Sequence, residues 1–326
     1  MAADGIEDLG KLDGPVLVFG GAYSNLQALQ EILRIGKEEL KIPPARTIHT
    51  GDVVAYCGQP METTELLRQS GVRCLMGNCE ESVGQAKSDC GCGFPEDSAC
   101  NSYSLNWYAH VQEQLKGRKD LADWMGSLPR QLRLQVAGRR LAVVHGSPRG
   151  ISEFVWPSSS DEELATMMAP LAGAVDGVLC GHSGIPFARL IPGSEQGDTR
   201  LWMNAGVIGM PANDGTRRVW YALLEPSPEG LKISLRSFNY DAEGAANSIL
   251  AHTNLVRGYA DALKTGIWPS HDILPVEEAM ASGVAIRDKE HFWPNPPKTR
   301  TLWPLVLVAS ALAAVAAVAL ARRKQQ

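Results

Sequence analysis

Four apolar runs in this chain stop at or beside a glycine and then present a metal-ligating side chain. That recurrence limits the fold more than any other feature. TIHTGDVV delivers Asp52, VRCLMGNCE delivers Asn78, LAVVHGSP delivers His145 and VDGVLCGHSG delivers His182. A strand that ends at a glycine places the next side chain at the carboxyl edge of its sheet, where α/β proteins bind ligands. The helical span METTELLRQSG joins the first two ends, so Asp52 and Asn78 belong side by side. A carboxylate, a carboxamide and two imidazoles make a mixed O/N set that suits Mn, Fe(II) or Zn better than Mg or Ca. His49, His110, His252, His271 and His291 lack that setting and read as ordinary core or surface histidines.

The ordered motifs GD, GN, HG and GH, spread over roughly residues 14 to 240, resemble those of the calcineurin-like metallophosphoesterases. The nearest type is the small bacterial and archaeal phosphodiesterase or diadenosine tetraphosphatase. The resemblance implies an α/β fold, a four-layer α/β/β/α sandwich of two mixed sheets. It also implies two metals that clamp a phosphoryl group. Carried over residue by residue, Asp52, Asn78, His145 and His182 hold the second metal. The first metal's ligands fall on Gly21, Tyr23, the shared Asp52 and Gly184, so three of its four are missing. Where the family has a histidine that protonates the leaving group, this chain has Cys79. The implied activity is phosphoester hydrolysis from a mainly mononuclear site, on a nucleotide, a phosphoprotein or a phosphodiester. The losses at Gly21, Tyr23, Cys79 and Gly184 leave open a second reading, a catalytically degenerate metal- or redox-sensing module.

Other residues add to this from their chemistry alone. Arg149, four residues after His145, is either a bidentate phosphate holder or an exposed surface arginine. The glycines before Ser24 and Asn25 make either an anion cradle at a helix start or a tight turn needing backbone room. Cys79 with some of Cys90, Cys92 and Cys100 suggests a second, soft-metal site of zinc or iron; plain thiols or a disulfide are the alternatives. Residues 81–100 read as one loop, since Gly, Ser, Asp and Cys break all periodicity there. LRLQVAG–RRLAVVHG reads as a hairpin, and LWMNAG, RVWYALLEP and LKISLRSFNYD as late strands of a second sheet.

The expected organisation is a catalytic domain over 14–241, a helical and irregular extension over 242–297, and a membrane segment within 298–326. Residues 302–321 are twenty residues without a charge, followed by Arg322, Arg323 and Lys324, long enough for a single transmembrane helix. With an acidic, Gly-rich beginning, the main domain is expected in the cytoplasm. The net charge of −5 argues against a nucleic-acid-coating surface.

Overall fold

The computed structural model of the protein describes residues 5–193 and 198–295. Two six-stranded mixed sheets face each other. In chain order the strands are β1 (Ile6–Lys11), β2 (Val16–Phe19), β3 (Thr47–His49), β4 (Arg73–Cys74), β5 (Gln131–Val136) and β6 (Arg139–Val143). They continue with β7 (Gly177–Cys180), β8 (Phe187–Pro192), β9 (Thr199–Asn204), β10 (Val219–Ser227), β11 (Gly230–Phe238) and β12 (Lys289–Pro294). One sheet runs β1-β5-β6-β7-β9-β8 and the other β12-β11-β10-β2-β3-β4.

The period-two pattern of β2 shows how the layers form. Val16 and Val18 join Leu132, Leu141, Leu201 and Trp220 between the sheets, while Leu17 and Phe19 face the opposite way. That outer face is covered by helices, among them α1 (Leu26–Arg34), α2 (Pro60–Ser70), α4 (Ala99–Gln114), α7 (Ala242–Leu250) and α8 (Arg257–Thr265). Between α2 and α4 lies α3 (Asn78–Gly84), and α4 is followed by α5 (Lys119–Ser127). The outer face of the other sheet buries Val178, Ile191 and Trp202 against Leu164 and Met168 of α6 (Asp161–Met168). Each side chain of this size taken fully out of water contributes about 1.5–3 kcal/mol.

The hairpin forms as its sequence predicts, β5 pairing antiparallel with β6 around Ala137 and Gly138, both at positive φ. Other expectations need correction. The strand expected from LWMNAG does not share a sheet with the next two. β9 pairs with β7 and β8, whereas β10 and β11 extend the sheet of β2. Residues 81–100 are not one loop, because α3 runs through Gly84. Glu80, at its third position, reaches back to accept the Gly77 N–H and starts the helix. The stretch after Asp241 ends in β12, which pairs antiparallel with β11. The expected membrane helix over 302–321 lies outside the described residues; among those described, no helix is long and apolar enough to cross a membrane.

Candidate metal centre

Two strand ends from each sheet meet at one point. β3 and β4, parallel through the partnership of Ile48 with Arg73, lead into Asp52 and Asn78. β6 and β7, parallel through Ala142 and Val178, lead into His145 and His182. The Gly181 N–H donates to the His145 carbonyl, tying those two loops together.

The geometry depends on a tight crossing of the first two loops. Gly51 sits at φ 92°, and a Cβ there would lie 2.6 Å from the Gly77 nitrogen and 2.7 Å from His145 Nδ1. Asp52 itself takes the left-handed region, φ 65°. That conformation is costly for a non-glycine residue and persists where the surroundings over-determine it. Here the clamp is Glu80, which is fully buried. Its carboxylate accepts from the backbone N–H of Val53 at 2.6 Å, of Gly77 at 2.8 Å and of Asp52 at 2.9 Å. Burial and the neighbouring Asp52 carboxylate push the Glu80 carboxyl up, against the pull of those N–H groups.

The four side chains converge on acceptor atoms. His145 Nδ1 lies 2.7 Å from the Thr50 carbonyl, which only accepts, so Nδ1 carries the proton and Nε2 presents a lone pair in the neutral ring. That Nε2 faces Asn78 Oδ1 at 3.0 Å, His182 Nδ1 at 3.1 Å and Asp52 Oδ2 at 3.2 Å. Asn78 is oriented the same way, its Nδ2 donating to the Cys90 carbonyl at 2.9 Å. Lone pairs gathered this closely repel unless a cation lies among them, so the donor set fits a divalent transition metal. Among the described residues, Asp52, His145 and His182 are the one group of three or more His, Cys, Asp or Glu whose ligand atoms all lie within 4.8 Å of one another.

In the metal-free protein a proton on His145 Nε2 takes the cation's place among these atoms. Burial raises the Asp52 carboxyl, but His145, by charge and hydrogen bond, outweighs it and holds Asp52 down at about 2. Burial lowers His145, and Asp52 more than reverses it, so the imidazole is raised. Burial first, then the neighbouring His145, lowers His182 to about 3.

The remaining predicted residues divide. Cys79 is buried beside the centre, its N–H donating to Asp52 Oδ1 at 3.1 Å. Burial raises its thiol far above the ordinary range. Cys79 and Cys90 both lie within hydrogen-bonding reach of Cys92, whose Sγ is 3.3 Å from Asn78 Nδ2. Cys100 stands apart, on the first turn of α4 near Ser270 and Asp272. Cys79, Cys90 and Cys92 thus lie together beside the centre, and Cys100 is not part of that group. Arg149 is committed to Glu153, which also accepts from Ser147. The turn before α1 is spoken for as well, with the N–H groups of Tyr23 and Ser24 donating to the carbonyls of Asp52 and Val53. It locks one loop to another and is no free anion cradle. Glu80 escapes notice in the sequence, although a carboxylate three residues after the Gly77 that precedes the helix is a capping signature.

A two-sheet sandwich with an O/N donor set at its joined strand ends is the arrangement that the resemblance implied for a metal-dependent phosphoesterase. The chain belongs to the calcineurin-like phosphoesterase superfamily, whose domain model matches residues 25–227, more than half of its length. It is 24% identical over 253 residues to the uncharacterized protein MJ0912 of Methanocaldococcus jannaschii, covering 72% of this chain and 91% of that one. Its fold is similar to that of a metallophosphoesterase from Sphaerobacter thermophilus (TM-score 0.57, 20% identity, 78% of this chain and 99% of the other). It is also similar to that of the hypothetical protein PH1004 from Pyrococcus horikoshii OT3 (TM-score 0.62, 18% identity, with the same two coverages).

Proposed function

We propose that this protein hydrolyses phosphoesters from a mononuclear metal site held by Asp52, Asn78, His145 and His182. The observation that carries the reading is the convergence of Asn78 Oδ1, His182 Nδ1 and Asp52 Oδ2 on His145 Nε2 within 3.0–3.2 Å. Bound there, a divalent Mn, Fe or Zn ion supplies Lewis-acid polarisation of the phosphoryl group. The chain's own residues do the rest. Thr50 fixes the His145 tautomer, Cys90 aims the Asn78 carboxamide, and Glu80 holds the Asp52 loop against its own strain.

Gly21, Tyr23 and Gly184 provide no ligands for a first metal, so this protein is expected to be slower than a dinuclear relative. A hydrolysis panel with aryl monoester, aryl diester, dinucleoside polyphosphate and phosphopeptide substrates, under added Mn, Fe, Zn or Mg, tests the reading. Turnover that disappears in Asp52→Ala supports it; full turnover in that variant, or none in the wild type under any metal, removes it. The contact of Asn78 with the Cys92 sulfur favours one alternative, a redox-sensing module in which thiol oxidation disturbs a ligand. We further propose that residues 302–321 anchor the protein by a single membrane pass, with the catalytic domain at the cytoplasmic face.

A further inference from the structure

Beside the four ligands lies a cavity of about 80 Å³ that reaches Asp52 and His182. Its walls are largely aromatic, with Tyr23, Tyr56, Tyr259, Trp268 and Phe154 among them. One of those rings crowds, and another touches, the positions where the family pattern has first-metal ligands. A Cβ on Gly21 would lie 2.4 Å from the Tyr23 ring, and one on Gly184 would lie 3.5 Å from Cζ2 of Trp268. The indole is fixed from behind, donating its ring N–H to the Pro211 carbonyl at 2.7 Å and its backbone N–H to Asn213 at 2.9 Å. The lost ligands have been replaced by a built wall.

Ring angles and charge together select a ligand class. Tyr23 meets Tyr56 at 77° and 4.8 Å, Tyr56 meets Tyr259 at 40° and 4.9 Å, and Tyr259 meets Tyr103 at 80° and 6.2 Å. A flat base sandwiched between rings needs two parallel faces with a slot between them. The stacked pair along this wall, Phe94 and Phe154, has centroids 6.0 Å apart, within contact range of each other and leaving no such slot. Ring faces and edges turned at several angles suit a rounded ligand. No Lys or Arg lines the cavity, and its one carboxylate is Asp52. A polyanion finds no cationic side chain along these walls, whereas a ligand that brings its own positive charge meets ring faces. Ring faces attract cations through their quadrupoles, and most usefully cations that need no hydrogen bonds. A methylated ammonium is such a cation.

We propose that this box binds the methylated ammonium head of a phosphodiester, whose phosphate lies toward Asp52 and His182. The substrate's cation then stands where the family pattern has a metal. The phosphate half rests on the hydrolase reading above; the head-group half is measured separately.

The full chain, kept in a maltoside detergent, is titrated calorimetrically with choline, with its uncharged isostere 3,3-dimethylbutanol, and with adenosine. Choline is expected to bind at least tenfold more tightly than either. Trp268→Leu and Tyr259→Leu should each weaken choline at least tenfold, while Lys116→Ala, at an exposed residue that does not line the box, should leave it unchanged. Equal affinity for choline and its isostere, preference for adenosine, or no choline binding by the wild type overturns the proposal, whether or not the variants fold. Aryl diester turnover without choline binding would remove the box and keep the hydrolase. Choline binding without turnover on any substrate would remove the hydrolase and keep the box as a head-group site.

Discussion

Replacing Glu80 by glutamine removes one negative charge and leaves the side chain's shape intact, so it isolates what the carboxylate does. Oε2 accepts two backbone N–H groups, from Gly77 and Asp52, and Oε1 accepts a third from Val53. A carboxamide offers one accepting oxygen. If it faces Gly77 and Asp52, its own N–H₂ meets the Val53 N–H, donor against donor, at a site with no solvent. A hydrogen bond to a charged group contributes about 1.5–3 kcal/mol, and leaving the buried Val53 donor unpaired adds about 1–3 kcal/mol. The raised Glu80 carboxyl reports that burying the charge is itself costly, and the neutral amide recovers part of this. The net expected loss is roughly 2 kcal/mol in urea unfolding of the metal-free protein. Because the lost bond belongs to the loop that carries Asp52, Mn(II) affinity should fall about tenfold, the equivalent of ~1.4 kcal/mol. A stability change inside about 0.5 kcal/mol, the range of an ordinary surface substitution, with unaltered metal affinity would refute the clamp.

Gly77→Ala should be worse than its size suggests, since the new Cβ would stand 2.4 Å from Asp52 Oδ1 and 2.7 Å from the Asp52 nitrogen. Thermal melts should show a loss of about 1–3 kcal/mol and no rescue by Mn(II). In metal-free protein, His182 and His49 are both held near 3, chiefly by burial, and stay neutral while the unfolded chain protonates near 6.5. Their contribution is therefore present above pH ~6.5 and is lost as pH falls toward 3, at about 1.4 kcal/mol per pH unit for each histidine. The raised His145 has the opposite sign, and its contribution is lost as pH rises through its folded pKa. Urea titrations at stepped pH check this, and a flat profile from 6.5 to 4 would count against the buried neutral rings. Exchanging Cys79, Cys90, Cys92 and Cys100 together for serine should leave the metal content unchanged by elemental analysis; a loss of metal would establish a sulfur site.

The sequence carried the parts of the fold that repeat a local rule. PVLVFG marked β2, the Ala137–Gly138 turn marked the hairpin, and each of the four ligand loops was visible because glycine punctuated an apolar run. What it hid was edge structure and long-range assembly. β1 mixes charged and half-buried residues at the margin of its sheet and so reads as a loose polar start. β12, rich in charge and aromatics, has no strand signal apart from its partner β11. The break in periodicity after Asn78 concealed α3, because capping by Glu80 rather than an apolar stripe begins that helix. The aromatic box draws on Tyr23, Tyr56, Tyr259 and Trp268, and no spacing in a chain announces rings that meet only after folding.

Equilibrium binding of Mn(II) to the full chain, with the free ion followed by electron paramagnetic resonance, tests the central claim most directly. One site per chain, lost in both Asp52→Ala and His145→Ala, is the predicted result. Two equivalent sites, or one that survives either substitution, would contradict it.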